Sequence, residues 1–488
     1  MERVGVAIVG TGFAGLGTAI RLKQAGFDDF VVLERADDVG GTWRDNSYPG
    51  CQCDVPSNLY SFSFAPNPNW TNTFPLQPEI WDYLRDCAVR FGVVSHIRFG
   101  HEVLNARWDE PSARWQVHSS QGDLAARFLV LGQGPLSDPS LPDIPGLDGF
   151  QGTVFHSARW RHDHDLTGER VAVVGTGASA IQFIPEIQPR VGALQLYQRT
   201  AAWVMPHPKR PVSAAERWFY GSVPGVQRLL RGTTYMTRES FVLVFTGHPR
   251  VTRIAERLGL RHLRRQVPDA QLRRKLTPTY HVGCKRILIS NDYYPALMQP
   301  NVEVITDGIR EVRPHSIVAA DGTERDVDTI IFGTGFQVTN PPIAQRVCGK
   351  EHRLLAEVWG GSPQAYRGTT VAGFPNMFLL AGPNTGLGHT SLVFMIESQI
   401  AYVLDALRTL GRHGADVFDV RPAAQERYNE TVQQRLRNTV WNTGGCASWY
   451  LDANGRNSAL WPTFTWPFHR RTARFDMDAY ELRPAHAA

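Results

Sequence analysis

The feature that most limits the fold is a glycine-rich loop that directly follows an apolar strand near the start of the chain. Residues 4–9, VGVAIV, are typical of a buried strand, and the loop GTGFAG follows them. In such a G-x-G-x-x-G loop, Gly10 makes a tight turn, Gly12 lets the backbone approach a pyrophosphate, and Gly15 lets the next helix pack closely on the strand. AIRLKQAG then predicts a helix and FVVLE a second strand. The pattern predicts a β-α-β unit that binds a dinucleotide.

An acidic residue supports this interpretation of the loop. Glu34 ends the second strand, 24 residues after Gly10. A carboxylate at this place accepts hydrogen bonds from ribose hydroxyls. The N-terminus of the helix would face the phosphates with its unpaired N–H groups. We therefore expect the first site to hold a whole dinucleotide.

A second loop of the same design lies in RVAVVGTGASAIQ, where Gly175 and Gly177 match and Ala180 replaces the third glycine, a permitted exchange. The next strand, LQLYQRT, ends at Arg199, again 24 residues after its first glycine. No acid stands there, and Arg199 is followed by Thr200. A guanidinium pairs with a phosphate through two hydrogen bonds, so the second site favours NADP(H) over NAD(H). A solvated charge at a strand end is the alternative.

Two such sites in one chain predict two dinucleotides, and the usual pair is FAD and a nicotinamide between which hydride passes.

The chain has 488 residues, enough for roughly three domains. Its net charge of +5 is small for that length and does not indicate a nucleic-acid partner. No run of 18 apolar residues predicts a transmembrane helix. The chain runs straight into its first strand without a signal peptide, so we expect a cytoplasmic location.

The six cysteines are scattered: Cys51, Cys53, Cys87, Cys284, Cys348 and Cys446. Only Cys51 and Cys53 are close, and their C-x-C spacing speaks against a C-x-x-C dithiol or a zinc site. We predict no metal site, and we expect free thiols in a reducing compartment.

Two further stretches bring in a resemblance to a known family. DVGGTWRDNSYPGCQCDVPSNLYSFSF follows the first unit, and FQGTVFHSARW stands between the two loops. With both loops they resemble the flavin-dependent monooxygenases, most closely the type I Baeyer–Villiger monooxygenases, over nearly the whole chain. The family fingerprint is F-x-G-x-x-x-H-x-x-x-W followed by Pro or Asp. Phe150, Gly152, His156 and Trp160 match it, while Arg161 departs from it.

The resemblance implies that this stretch joins the FAD and NADP domains and helps the nicotinamide to move. His156 would then be a hinge and positioning residue rather than a proton-transfer catalyst. A histidine packed in a linker is the alternative. The departure at Arg161 puts the linker geometry in question, though not the cofactors.

The resemblance also assigns the chemistry, through GCKRILISNDYYP. Arg286 would stabilise a flavin peroxide anion and the oxyanion formed when that anion attacks a carbonyl, because a guanidinium stays charged at working pH. Lys285 would bind the 2′-phosphate. Asp54 would orient Arg286 and tune the local field. The alternatives are a basic pair at the start of a strand and an Asp that caps a loop.

Other cofactor contacts follow from the same resemblance. The residues assigned to cofactor binding outside the two loops are Thr42, Trp43, Asp54, Gly335, Asn384 and Trp449. Trp43 and Tyr48 are each expected either to line or close the flavin site or to pack without a role. DTIIFGTGF resembles the return crossing to the FAD domain. The helix after LLAGPNTGLGHTS is expected to point its N-terminus at the flavin ring, where the helix dipole would stabilise negative charge.

The predicted fold class is α/β, with two dinucleotide-binding (Rossmann-like) domains. The NADP domain is inserted in the FAD domain and carries a helical insertion. We expect residues 1–140 and 337–488 to form the FAD domain, 150–208 and 281–336 the NADP domain, and 209–280 the insertion.

The insertion is strongly basic. Its segment from Lys209 to Lys275 has 15 Lys and Arg against 4 Asp and Glu, a net charge of +11. That charge would steer an anionic ligand, or dock on an anionic membrane with FVLVF in contact, or form a solvated helical face.

Taken together, these features predict an FAD- and NADPH-dependent monooxygenase. It would insert one oxygen atom of O2 into a small hydrophobic ketone through a flavin peroxide, giving an ester or lactone. An N- or S-oxygenase, which needs no Arg286, is the nearest alternative. An NADPH oxidase and a non-catalytic flavoprotein that signals to a partner are two more, and both predict no oxygenated product. The sequence leaves the substrate and the oligomeric state open.

Overall fold

The computed structural model describes residues 1–246 and 248–484 of the chain, as a mixed α/β protein. The strands are β1 (Glu2–Val9), β2 (Phe30–Leu33), β3 (Ile97–Arg98), β4 (Val103–Asp109), β5 (Arg114–Ser119), β6 (Gly122–Leu131), β7 (Thr153–His156), β8 (Arg170–Val174), β9 (Ala193–Tyr197), β10 (Val204–Met205), β11 (Leu288–Ile289), β12 (Val302–Ile305), β13 (Ile309–Arg313), β14 (Ser316–Ala319), β15 (Glu324–Asp326), β16 (Thr329–Phe332), β17 (Val347–Cys348), β18 (Met377–Leu379), β19 (Val417–Val420) and β20 (Tyr480–Arg483).

The helices are α1 (Phe13–Gln24), α2 (Thr42–Asp45), α3 (Gln77–Arg90), α4 (Ala180–Ile187), α5 (Ala214–Ser222), α6 (Val226–Ser240), α7 (Val242–Phe245), α8 (Pro249–Gln266), α9 (Ala270–Lys275), α10 (Tyr293–Leu297), α11 (Leu355–Trp359), α12 (Leu392–His413), α13 (Pro422–Leu436), α14 (Val440–Thr443) and α15 (Trp466–Thr472).

The first sheet has the order β17-β4-β5-β6-β1-β2-β3, with β18 also paired to β6. Its central strand β1 is parallel to both β2 and β6. Along β1, Val6 and Ile8 pack into one core cluster while Ala7 and Val9 pack into another on the opposite face. Because both faces are covered, the strand is an unbroken apolar run.

The second sheet is fully parallel, with the order β12-β9-β8-β16-β7. β16 lies between β8 and β7, so Phe332 is level with Val174 on one side and His156 on the other. The carboxyl ends of these strands therefore meet at one edge, which is where open parallel sheets bind ligands. The predicted α/β class with two dinucleotide-type sheets is confirmed.

Two chain crossings join the sheets, and they run side by side. The N–H of Ser140 donates to the carbonyl of Gly335 at 2.9 Å, and the N–H of Gln337 donates to Asp138 at 2.9 Å. β18 then adds to the first sheet beside β6. The chain after β16 thus returns to the first sheet, as the DTIIFGTGF stretch indicated.

The predicted insertion is helical: α5 to α9 follow one another without a described strand between them. Its FVLVF stretch does not present a continuous apolar surface. Val242 and Phe245 are core residues at 0% and 3% exposure, whereas Phe241 is 44% exposed. Among residues 1–246 and 248–484, none of the helices combines the length and the hydropathy that a membrane span requires.

The expectation of six free thiols is wrong for two of them. Cys284 and Cys446 form a disulfide, whereas Cys51, Cys53, Cys87 and Cys348 are free. The two partners are 162 residues apart in sequence, and the fold brings their Cα atoms to 6.2 Å. That separation suits a disulfide. Sequence spacing gave no sign of it, because distant segments meet only in the folded chain.

Candidate active site

The first glycine loop has the geometry that its pattern predicts. Gly10 has φ +90°, a conformation that side chains rarely allow. A Cβ at Gly15 would lie 1.8 Å from the Gly10 carbonyl oxygen, so helix and strand touch there. A Cβ at Gly12 would meet only Gly41, at 3.9 Å. The space beside Gly12 is therefore open to a ligand, which fits a pyrophosphate.

Glu34 lies buried at the end of β2, as expected, and it holds the loop together. One carboxylate oxygen accepts hydrogen bonds from the N–H and hydroxyl of Thr11, at 3.0 and 2.6 Å. The other accepts from the N–H of Ala36 and from Arg44, both at 3.0 Å. Four donors use the ordinary capacity of a carboxylate. A ribose hydroxyl could bond to Glu34 only by replacing one of these four donors. The Thr11 hydroxyl is the donor that can be replaced, because it can rotate away from the carboxylate. Neither Thr11 nor Arg44 is among the residues predicted from the sequence.

The residues predicted to line the flavin divide into two groups. Thr42 and Trp43 belong to α2, next to Gly41, whose Cβ would lie 3.0 Å from Gly12. They therefore lie beside the glycine loop. Tyr48 instead donates a 3.0 Å hydrogen bond to Gln182 of α4. Tyr48 thus connects the first domain to α4 beside the second sheet, which agrees with the alternative that it packs without contacting the flavin.

The second loop repeats this arrangement with one difference. Gly175 has φ +110°, and a Cβ there would lie 2.5 Å from the carbonyl oxygen of Gly333. The methyl of Ala180 is tolerated because a glycine, Gly333, faces it. No side chain caps α1 or α4, so their first N–H groups are left for phosphates. A Cβ at Gly177 would meet only one atom, at 3.7 Å, so this loop is open as well.

The three residues predicted to bind the 2′-phosphate converge. Lys285 donates from Nζ to the hydroxyl of Thr200 at 2.6 Å. Burial lowers the pKa of Lys285, and the nearby charge of Arg199 lowers it further. Neither cation pairs with a carboxylate among the described residues. Two cations held close without an acid favour an anionic ligand.

The linker fingerprint is explained by packing against the second sheet. A Cβ at Gly152 would lie 2.2 Å from the carbonyl oxygen of Asp328 and 2.6 Å from the ring of Phe150. Only glycine fits there. Trp160 packs on Phe183 of α4, with ring centroids 5.3 Å apart.

His156 ends β7 and is 5% exposed. Its Nδ1 accepts the N–H of Ala158 at 3.1 Å. Burial, aided by the charge of Arg159, lowers its pKa to about 4. A ring that is neutral at pH 7 suits positioning better than proton transfer. Arg161 is exposed and pairs with Asp163 at 2.8 Å, so the departure from the family fingerprint lies at the surface.

Arg286 and Asp54 form a bidentate ion pair at the centre of the site. Nε and Nη2 of Arg286 donate to the two carboxylate oxygens, each at 2.6 Å, and Nη1 donates to the Leu387 carbonyl at 3.3 Å. Burial alone would raise the pKa of Asp54, but Arg286 outweighs it and holds that pKa low. Asp54 in turn raises the pKa of Arg286. Their side chains keep 33% and 23% exposure, so the pair is fixed, charged and within reach of a ligand.

The remaining predicted contacts are less directly supported. Asn384 donates both amide hydrogens to the carbonyls of Asn457 and Leu460, at 2.8 and 3.0 Å. Its backbone N–H donates to the Ser458 carbonyl at 2.8 Å, so only its Oδ1 and its backbone carbonyl are left for a cofactor. Trp449 is 47% exposed, and it lies three residues after Cys446, whose disulfide joins this segment to Cys284. Gly335 lies at the return crossing with φ +85°.

The helix predicted after LLAGPNTGLGHTS is present as α12. It begins at Leu392, behind a Ser391 hydroxyl that accepts the N–H of Val393. Its orientation toward a flavin ring stays a prediction. Among residues 1–246 and 248–484, no cluster of three or more His, Cys, Asp and Glu could hold a metal ion.

Known proteins are similar to this chain over most or all of its length. A family model described as flavin-binding monooxygenase-like matches residues 3–359. A Baeyer–Villiger monooxygenase of Streptomyces coelicolor is 55% identical, covering 100% of this chain and 94% of the relative. A Baeyer–Villiger monooxygenase of Pseudomonas aeruginosa is 53% identical, covering 98% of this chain and 91% of the relative.

Solved structures of a cyclohexanone monooxygenase and a steroid monooxygenase both match nearly the whole chain in fold. A closed crystal structure of cyclohexanone monooxygenase matches with a TM-score of 0.89 at 27% identity, over 99% of this chain and 100% of that one. An oxidized steroid monooxygenase bound to NADP matches with a TM-score of 0.86 at 30% identity, over the same shares of both chains. The chain therefore belongs to the flavin-binding monooxygenase-like family and, within it, to the Baeyer–Villiger flavoprotein monooxygenases.

Proposed function

We propose that the protein inserts one oxygen atom of O2 into a hydrophobic ketone, giving an ester or lactone, with FAD and NADPH as its cofactors. The observation that carries this proposal is the bidentate ion pair of Arg286 with Asp54, fixed in place yet still accessible. The balanced reaction consumes one NADPH, one proton and one O2 per ketone, and it releases NADP+ and water with the ester.

The two glycine loops divide the cofactors between the sheets. FAD would lie on the loop of Gly10, Gly12 and Gly15, with residues 1–140 and 337–488 as its domain. NADPH would lie on the loop of Gly175, with residues 150–208 and 281–336 as its domain and 209–280 as the insertion. When bound, reduced FAD would supply the oxygen chemistry. A cytoplasmic location stays a prediction.

Arg286 is suited to stabilise negative oxygen. A guanidinium has five N–H donors, of which two bond to Asp54 and one to Leu387. Two donors are left for an oxyanion that forms as the carbonyl carbon is attacked. Because Asp54 fixes the guanidinium beforehand, these donors need no rearrangement when the charge develops.

This fixed cation also favours ketone oxidation over N- or S-oxidation. Attack on a carbonyl carbon creates a full negative charge on oxygen, which the two free donors stabilise. Transfer of oxygen to a soft sulfur or nitrogen creates no such oxyanion at the substrate. A catalyst gains only from interactions that strengthen in the transition state, so a sulfide would benefit little from Arg286.

The proposal is tested with Arg286→Ala and with the exposed control Arg228→Ala. Removing one oxyanion donor costs about 10²- to 10³-fold in kcat, so we expect ester formation from cyclic and aryl ketones to fall at least that far. Reduction of FAD by NADPH, followed by flavin absorbance in a stopped-flow instrument, should persist in both variants. Normal ester yield from Arg286→Ala would remove the assignment. A wild-type enzyme that oxidises only a sulfide would be an S-oxygenase, and one that forms only hydrogen peroxide would be an oxidase.

A further inference from the structure

A second arginine interacts electrostatically with the Arg286–Asp54 pair, and the proposed reaction gives it no role. Arg238 belongs to α6 of the insertion and is half-buried. Its guanidinium lies 5.7 Å from the ring centroid of Phe74 and 5.5 Å from that of Phe241. Within the described part of the chain, its side chain makes no hydrogen bond and no ion pair. Its guanidinium donors are thus left unused by the protein, and they suit hydrogen bonds to an anionic group, which makes Arg238 a candidate for binding a ligand.

The charge of Arg238 interacts with both members of the Arg286–Asp54 pair. Burial lowers its pKa, Asp54 opposes that effect, and Arg286 adds to it. Asp54 has a single negative charge, and Arg286 already occupies both of its carboxylate oxygens. The group of two arginines and one acid therefore has one positive charge in excess. An anion next to Arg238 would balance it.

His207 packs on the ring of Phe74, as Arg238 does, and supplies a second hydrogen-bond donor. It packs edge-on against Phe74 with ring centroids 4.7 Å apart, and it is 8% exposed. Its Nδ1 accepts the N–H of Lys209 at 3.1 Å. Burial first, and then the charge of Lys209, lowers its pKa to about 4, so the ring is neutral at pH 7. The proton of such a ring is on Nε2, which is buried and has no acceptor in the described structure.

His207 is held in place by structure that continues to Arg286. The backbone N–H of His207 donates to the Asn291 side chain at 3.0 Å, and its carbonyl accepts from the same side chain at 2.8 Å. His207 follows β10, which pairs with β11, and β11 begins two residues after Arg286. His207 is therefore fixed relative to the Arg286–Asp54 pair before any ligand arrives.

We propose that Arg238 and His207 form a subsite for a carboxylate, so that the preferred substrate is a ketone that also carries an acid group. The inference rests on the proposed function, because the ketone group of the same molecule would lie at Arg286. Phe74 and Phe241 would contact the apolar part that links the two groups. The oxygen of the ketone and the carboxylate would thus meet different arginines.

Binding can be tested without turnover. Wild-type enzyme with FAD and NADP+ is titrated with 4-acetylbenzoate and with its neutral analogue 4-acetylbenzamide, and the dissociation constants are measured by calorimetry. A charge-assisted hydrogen bond predicts at least about 10-fold tighter binding of the acid. Arg238→Met should remove that preference, and Arg238→Lys should keep part of it. Arg228→Met, an exposed arginine on the same helix, should keep all of it.

The outcomes are decisive. Equal binding of both compounds by the wild type overturns the proposal even if no variant folds. If Arg238→Met and Arg228→Met lose the preference for the acid to the same extent, the proposal is also overturned, because the net charge of the protein would then explain that preference. A preference that is lost only in Arg238→Met supports it. Tight binding of the acid without any ester product would leave the subsite in place and contradict the proposed reaction instead.

Discussion

The best-defined quantitative prediction concerns the recognition of NADPH by Lys285. Its Nζ lies 2.6 Å from the Thr200 hydroxyl and close enough to Arg199 for the two charges to repel. A 2′-phosphate between them would relieve that repulsion. A hydrogen bond to a charged group is worth about 1.5–3 kcal/mol. Lys285→Ala should therefore raise the KM for NADPH about 10- to 150-fold.

The assay compares NADPH with NADH, which lacks the 2′-phosphate. The KM for NADH should change little in Lys285→Ala, so the preference for NADPH should fall by the same factor. Arg199→Ala should have a smaller effect, because Arg199 is exposed and water screens its charge. An equal rise in KM for both coenzymes would refute the argument, since it would mean that Lys285 supports the fold rather than the phosphate.

The pH dependence gives a further check on the same residue. Lys285 binds the phosphate only when protonated, so affinity for NADPH is present below its pKa in the free enzyme and is lost as the pH rises through it. Because that pKa is lowered by burial and by Arg199, the loss should begin at a lower pH than an ordinary lysine would give. Arg199→Ala should move the loss to higher pH. A KM for NADPH that is independent of pH up to 10 would contradict this reasoning.

Two further predictions test the fold around the site. Gly15→Ala should abolish FAD binding, because its Cβ would lie 1.8 Å from the Gly10 carbonyl oxygen; the ratio of flavin to protein absorbance measures this, and a normal ratio would contradict the loop geometry. Denatured protein should show four reactive thiols without reductant and six with it. Cys446→Ser should lower the free energy of unfolding by up to about 5 kcal/mol, because the disulfide closes a loop of 162 residues and so restricts the unfolded chain. Six thiols without reductant would exclude the disulfide.

The parts of the site that the sequence predicted are those in which chemistry depends on local spacing. Gly10, Gly12 and Gly15 are close in sequence, and their roles follow from one turn. Arg286 and Asp54 are 232 residues apart, and only the family resemblance joined them. The contact itself is a property of the folded chain.

Other features could not be predicted because they depend on segments without a recognisable pattern. Arg238 is one of many arginines in a basic helical insertion, and nothing in its spacing separates it from the exposed Arg228. The saturated hydrogen bonds of Glu34 and the interior amide of Asn384 depend on loops whose paths the sequence does not specify. The Cys284 disulfide likewise required the tertiary structure.

The central claim is that the site transfers one atom of O2 to a ketone carbon. The most direct test is a reaction with 18O2, NADPH and a panel of cyclic and aryl ketones, followed by mass spectrometry of the products. The account predicts an ester or lactone that carries one 18O atom for each NADPH consumed, and loss of that product in Arg286→Ala. NADPH consumption that yields only labelled hydrogen peroxide, with every ketone recovered unchanged, would contradict it.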